Sequence, residues 1–222
     1  MKAKLLSIDE LLRARSRGTL ASAHGPRQIV LWMIIFGIVY GAVMGTFGGI
    51  GSDRFLQITY SATKVPLLLT ATFIISLPSF FVMNTLMGLR DDFAQVMRLL
   101  ISTQAALTVI LASFAPFTAL WYASSADYEV AKLFNALMFG GASITAQLVL
   151  LRLYRPLIER NPRHRMMVRL WLVIYSFVGI QMGWTLRPFI GKPGMETTFF
   201  RQEAWTNAYV EIAGTIMRVF GG

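Results

Sequence analysis

Leu99–Tyr122 reads LLISTQAALTVILASFAPFTALWY and contains no Asp, Glu, Lys or Arg. A helix over these residues extends about 36 Å at 1.5 Å of rise per residue. The hydrocarbon core of a bilayer is about 30 Å thick, so such a helix is long enough to cross it. Four further stretches have the same character: Gln28–Ile50, Val65–Leu89, Val130–Leu151 and Leu170–Ile190. The chain therefore reads as an all-α integral membrane bundle of five transmembrane helices.

The composition agrees. Of 222 residues, 55% are hydrophobic and only 14% charged, with a mean hydropathy of +0.56. Soluble domains are about 25% charged, and a lipid-facing surface requires that deficit because unpaired charge in hydrocarbon is costly. The net charge of +10 lies in short connections rather than in a basic domain, which excludes nucleic acid as a partner. Cysteine is absent, so disulfides, thiolate zinc sites and iron–sulfur ligation are excluded. The first apolar run is too long for a signal peptide and has no small-residue cleavage site after it, so it reads as a retained helix.

Both termini read as amphipathic interfacial helices. In the N-terminal segment, 1–27, Ser7 and Glu10 fit a capping box and Leu6 with Leu11 a hydrophobic staple. Leucines there alternate with Arg13, Arg15 and Arg17. The five-helix domain occupies 28–190. In the tail, 191–222, Trp205, Tyr209, Ile212, Ile216 and Phe220 recur at helical spacing, as expected for a helix lying flat on the outer face.

Lys and Arg counts set the orientation. The N-terminal segment, the connection after the second span and the connection after the fourth hold fourteen basic and five acidic residues, or +9. The opposite side holds seven basic and six acidic residues, or +1. This places the N-terminus inside and the C-terminus outside. The basic connection Arg152–Arg169 suits anionic lipid headgroups. Arg90-Asp91-Asp92 reads as a solvated turn with an internal ion pair.

Gly37, Gly41, Gly45 and Gly49 lie four apart, on one face of the first span. Such faces admit close helix approach in membranes. The stripe is expected to pack against a helix of the same chain or of another subunit. At the outer end of the fifth span, Gln181–Gly191 reads QMGWTLRPFIG. Here Trp184, Arg187 and Phe189, together with Arg201 further on, form a candidate outer-face docking site. A snorkelling arginine among belt aromatics explains the same residues.

The spans contain amides and hydroxyls such as Gln104, Asn135 and Gln147, and their central stretches carry no Asp, Glu or His. This argues against a proton relay. Gly141-x-Ser143 lacks a histidine in any span to serve as its base. No metal-ligand spacing and no phosphate loop occur, so neither a cofactor nor a metal site is expected.

Four segments, Tyr40-Gly-Ala-Val-Met-Gly45, Lys64-Val-Pro-Leu-Leu-Leu69, Ser76-Leu-Pro-Ser-Phe-Phe81 and Gly183-Trp-Thr-Leu-Arg-Pro-Phe-Ile-Gly191, resemble an uncharacterised family of bacterial polytopic membrane proteins. The resemblance covers most of the chain from the first span onward. It implies a bacterial inner-membrane location and carries no activity, cofactor or catalytic residue.

The function expected from these features is that of a non-enzymatic subunit or scaffold of a membrane complex, associated with other membrane subunits or with itself. A homo-oligomeric channel or small carrier is the alternative, with Pro78 and Pro116 breaking helices to free carbonyls for a ligand path. A lipid-acting membrane enzyme is a third reading, but it needs an acid, base or metal site that the sequence does not offer.

Overall fold

The computed structural model describes residues 26–51, 54–192, 194–200 and 208–210. The N-terminal amphipathic segment, most of the tail helix and Arg201 lie outside the described residues. Among the described residues the fold is all-helical, with no strand.

Five helices follow in order: α1 Pro26–Gly45, α2 Phe55–Leu86, α3 Phe93–Ser124, α4 Tyr128–Arg160 and α5 Arg163–Thr185. A short 3-10 turn, Arg90–Asp92, precedes α3. α2 through α5 are long and apolar enough to cross a membrane, the mark of a multi-pass membrane protein. α1 is shorter, with its apolar run over Ile29–Gly45.

Hydropathy misplaced several helix ends. α2 starts at Phe55, ten residues before the expected span, and α4 runs to Arg160. Only Asn161 and Pro162 join α4 to α5, so the basic stretch Arg152–Arg169 is not a loop. It consists of two helix ends carrying exposed arginines. The physical reason is that backbone hydrogen bonding continues past the hydrocarbon boundary, whereas apolar composition does not. At the other end of α5 the sequence overshot: the helix stops at Thr185, just before Arg187 and Pro188. Proline removes a donor and disfavours helix in the residue before it.

α2 and α3 run unbroken through Pro66, Pro78 and Pro116, so the prolines do not open the helices as the carrier reading supposed. Membrane helices tolerate proline when neighbouring groups satisfy the freed carbonyls.

α1 packs between α2 and α3, which barely touch each other although they are consecutive in sequence. α4 packs on α3, α5 packs on α2, and a lighter α4–α5 contact completes the circuit. α3 is the most enclosed helix, buried on every face from Ser102 to Thr108. That explains its small and hydroxylated residues: Thr103 and Ser102 return their hydroxyls to carbonyls one turn back, and Gln104 accepts from the Tyr175 hydroxyl of α5 at 2.9 Å. Lipid contact falls to the opposite faces, where Leu31, Ile34 and Ile38 of α1 and Ile74, Ile75 and Val82 of α2 are exposed.

The α1–α2 contact uses the glycine stripe. A Cβ on Gly41 would lie 2.9 Å from Cα of Ala62 and closer still to the Ser61 carbonyl oxygen. One on Gly45 would lie 2.5 Å from Cα of Ile58, and one on Gly37 3.3 Å from Pro66. Real Cβ atoms do not approach backbone as closely as they would at Gly41 and Gly45, so glycine at these two positions is what lets the two backbones meet. Gly49 is not part of this surface. It follows the end of α1 at φ +117°, with nothing within 4 Å of where a Cβ would stand.

Candidate outer-face docking site

Consider the end of the bundle where α1 finishes, here termed outer. Arg54, Gln57, Ser61 and Lys64 stand at intervals of three, four and three residues. That spacing puts them on one face of α2 and its N-terminal cap. All four are buried, and Ser61 and Lys64 are completely shielded.

What covers them is the loop that follows α5. The Lys64 ammonium donates to the Pro188 carbonyl at 2.7 Å. The Phe189 carbonyl accepts from the Ser61 hydroxyl at 2.5 Å and from the Gln57 amide at 3.3 Å. The Arg54 guanidinium donates to the Gly191 carbonyl at 2.9 Å and also to the Phe47 carbonyl after α1. From α4, the Tyr128 hydroxyl reaches the Ile190 carbonyl at 3.3 Å. Four successive carbonyls are thus taken up, three by a ladder of side chains along α2 and its cap and one by Tyr128 of α4.

The need for such a ladder is physical. Non-helical backbone near membrane depth must find its partners inside the protein, and each buried carbonyl left unpaired costs about 1–3 kcal/mol. Two apolar side chains of the loop add anchorage. Ile190 is buried in the core cluster formed by Tyr40, Phe47, Leu111 and their neighbours, and Phe189 packs against it. A Cβ on Gly191 would lie 2.6 Å from Oε1 of Gln57, so a larger residue there would displace that side chain.

The sequence-derived residues lie in or beside this clamped loop and are half-buried. The Arg187 guanidinium lies 3.3 Å over the Trp184 ring, a cation–π stack that fixes both. Arg187 and Phe189 line a pocket of about 220 Å³ with Tyr128, Lys132, Pro188 and Ile190. Lys132 also pairs with Glu129 at 2.6 Å. Trp184, Arg187 and Phe189 are therefore gathered at one place, but Phe189 serves partly as a core anchor. A second pocket, of about 360 Å³, lies between the α1–α2 and α3–α4 connections. Thr46, Phe47, Gly49, Tyr122 and Ser125 are among its walls.

Sequence reasoning missed Lys64, Arg54, Gln57 and Ser61 as partners of this loop, because it left Gly51–Lys64 as a connection. Their 3-4-3 spacing is the signal that would have found them. It also missed His164. This residue is wholly buried and meets Asp92 at 3.0 Å between Nε2 and Oδ2, joining the turn before α3 to the start of α5. Asp92 thus faces His164, rather than belonging only to a solvated turn.

In a channel built from a ring of subunits Gln104, Asn135 and Gln147 would line the pore; here the first two are partnered within the bundle. Asn135 of α4 donates to the Tyr122 hydroxyl at 2.6 Å and accepts from the Tyr40 hydroxyl at 3.5 Å. Gln104 is occupied by Tyr175, and Gln147 is half-buried on α4. Among the described residues no group of three His, Cys, Asp or Glu could hold a metal ion.

No protein-family model matches this chain, and neither does any curated protein or solved structure.

Proposed function

We propose that this protein is a non-enzymatic, integral-membrane subunit or scaffold of a bacterial inner-membrane complex, presenting its outer surface around Trp184 and Arg187 to a partner. One observation carries the reading: the loop 187–191 is bound along its backbone by five side chains from two helices. Recognition residues commonly sit on loops that a rigid scaffold holds in place, and Trp and Arg are enriched where interfaces carry most of their energy.

The glycine stripe is engaged with α2, which moves the candidate partner surface from the stripe to this loop. α1 supplies the fifth crossing. Its twenty residues span about 30 Å, and its face opposite the stripe is apolar and exposed. The N-terminus lies inside and the C-terminus outside, and the exposed arginines of the inner helix ends, among them Arg98, Arg152, Arg160 and Arg169, rest against anionic headgroups.

Site-specific photo-cross-linking in native membranes tests this. A photoreactive residue at Trp184 should give a discrete heavier species, and one at lipid-facing Ile144 should not. A species at twice 24.8 kDa identifies a second copy of the chain, and any other discrete mass a different subunit. If Trp184 and Ile144 both give only lipid adducts, the reading fails.

A further inference from the structure

The chain beyond the outer loop returns to a place that its sequence does not announce. Phe199 still lies on α2, edge-on to Tyr60 at 5.1 Å. The next described residues, Ala208–Val210, are helical and lie against α5. The Ala208 N–H donates to Oε1 of Gln181 at 3.0 Å, and Ala208 is buried. The Tyr209 hydroxyl donates to the Phe177 carbonyl at 2.6 Å. The Tyr209 and Phe177 rings stack 4.4 Å apart with 6° between their planes.

The position of these partners along α5 sets the depth of the contact. Arg169, near the inner end of α5, is exposed, and Leu170–Leu186 carries no charged residue. From Arg169 to Thr185, where α5 stops, the helix rises about 24 Å. That is less than the roughly 30 Å of a bilayer's hydrocarbon, so the outer end of α5 does not stand clear of the membrane. Gln181 lies about 6 Å below that end and Phe177 about 12 Å below it. Phe177 is therefore midway between Arg169 and the end of the helix, well inside the hydrocarbon layer.

The chemistry of the contact suits that depth. A backbone N–H in hydrocarbon has no water to bond, and Gln181 supplies the acceptor that Ala208 would otherwise lack. The hydroxyl of Tyr209 is satisfied in the same way by a helix carbonyl. Around the contact the exposed side chains are apolar: Val173, Phe177 and Ile180 of α5, and Val210. A segment lying on an aqueous surface would leave its donors to solvent and turn polar side chains outward. Here the donors turn inward and the outward side chains suit lipid.

We propose that the chain re-enters the membrane after its outer loop, and that Ala208–Val210 is seated on α5 within the hydrocarbon layer. The amphipathic spacing of the tail alone predicts a helix lying flat on the outer face, and the contacts with Gln181 and Phe177 place these three residues deeper. The outer loop that begins after Thr185 is then tied to α5 at both its ends. This inference stands on the α5 contacts and holds whether or not a partner docks at Trp184.

The chain contains no cysteine, so a nitroxide on a single introduced cysteine reports one position of the full-length protein. In proteoliposomes of phosphatidylcholine and phosphatidylglycerol, its collisions with oxygen, which concentrates in hydrocarbon, are compared with its collisions with a water-soluble nickel chelate. Val210→Cys should resemble Ile144→Cys, which stands exposed at the middle of α4, with oxygen contact several-fold above nickel contact. Met195→Cys, exposed to the same degree in the outer loop, should show the reverse. Nickel contact at Val210 equal to that at Met195 overturns the proposal. A second nitroxide at Ile180→Cys should broaden the Val210 spectrum, because the seat is on α5. A spectrum equal to the sum of the two single labels overturns it as well. All four side chains are exposed, so their replacement leaves the packing of the bundle intact.

Discussion

At the outer end of the bundle, Arg54 and three polar side chains of α2 donate to the carbonyls of one loop. At the inner end no loop is held in this way among the described residues, and the arginines are exposed on helix termini. The two ends solve different problems. The outer end must house irregular backbone near the membrane, so its polar groups turn inward to satisfy it. Among the described residues the inner end contains little irregular backbone, because α4 runs almost directly into α5. Its arginines extend outward and its aromatic cluster of Phe80, Tyr154, Trp171 and Tyr175 does the packing. Polar burial therefore serves loop anchorage at the outer end, while aromatic packing holds the inner one.

The largest way to break this contrast is Gly41→Leu. The added side chain would meet α2 backbone at a distance no real Cβ adopts, and the strain lies at the upper end of overpacking costs, about 3 kcal/mol. We expect α1 to separate from α2 and the outer ladder to be lost with it, seen as a lowered thermal midpoint in detergent. An unchanged midpoint would mean that α1 is not held by this face.

Lys64→Met should have a smaller and more local effect. It leaves the Pro188 carbonyl without its donor and removes the ammonium from its place 4.8 Å from the Phe199 ring. Relief from burying the ammonium offsets part of the loss. The net expectation is about 1.4 kcal/mol, or tenfold faster hydrogen exchange across 187–191, with the rest of the bundle unaltered. If exchange accelerates equally at the inner end, the two ends are not independent.

Arg155→Gln at the inner end should do least. Its bond to Glu159 joins two largely exposed side chains four residues apart, a pair worth about 0.3 kcal/mol or nothing measurable. A destabilisation comparable to that of Lys64→Met would show that inner arginines are structural and not merely surface charges.

Much of the outer site was visible in the sequence as residues and almost none of it as relationships. Trp184, Arg187 and Phe189 stand out because an arginine, a proline and aromatics close an apolar run. The glycine stripe stands out because Gly37, Gly41 and Gly45 keep four-residue spacing within α1, whereas Gly49 falls past the end of that helix. Lys64 and Arg54 were hidden because charge is normally a reason to end a span, whereas α2 continues through Lys64 and starts right after Arg54. His164 was hidden because a histidine between arginines looks solvated until helix packing closes over it.

The sequence alone determined that this chain is helical and made for lipid, because some twenty consecutive apolar residues have no other solvent that suits them and a helix satisfies its own backbone. Only the tertiary structure decided which helices touch, that three of the four glycines face α2, and that a loop after α5 binds residues some 125 positions earlier. Those outcomes depend on distances between backbones and on which carbonyls lack partners, and neither quantity is written in composition or periodicity.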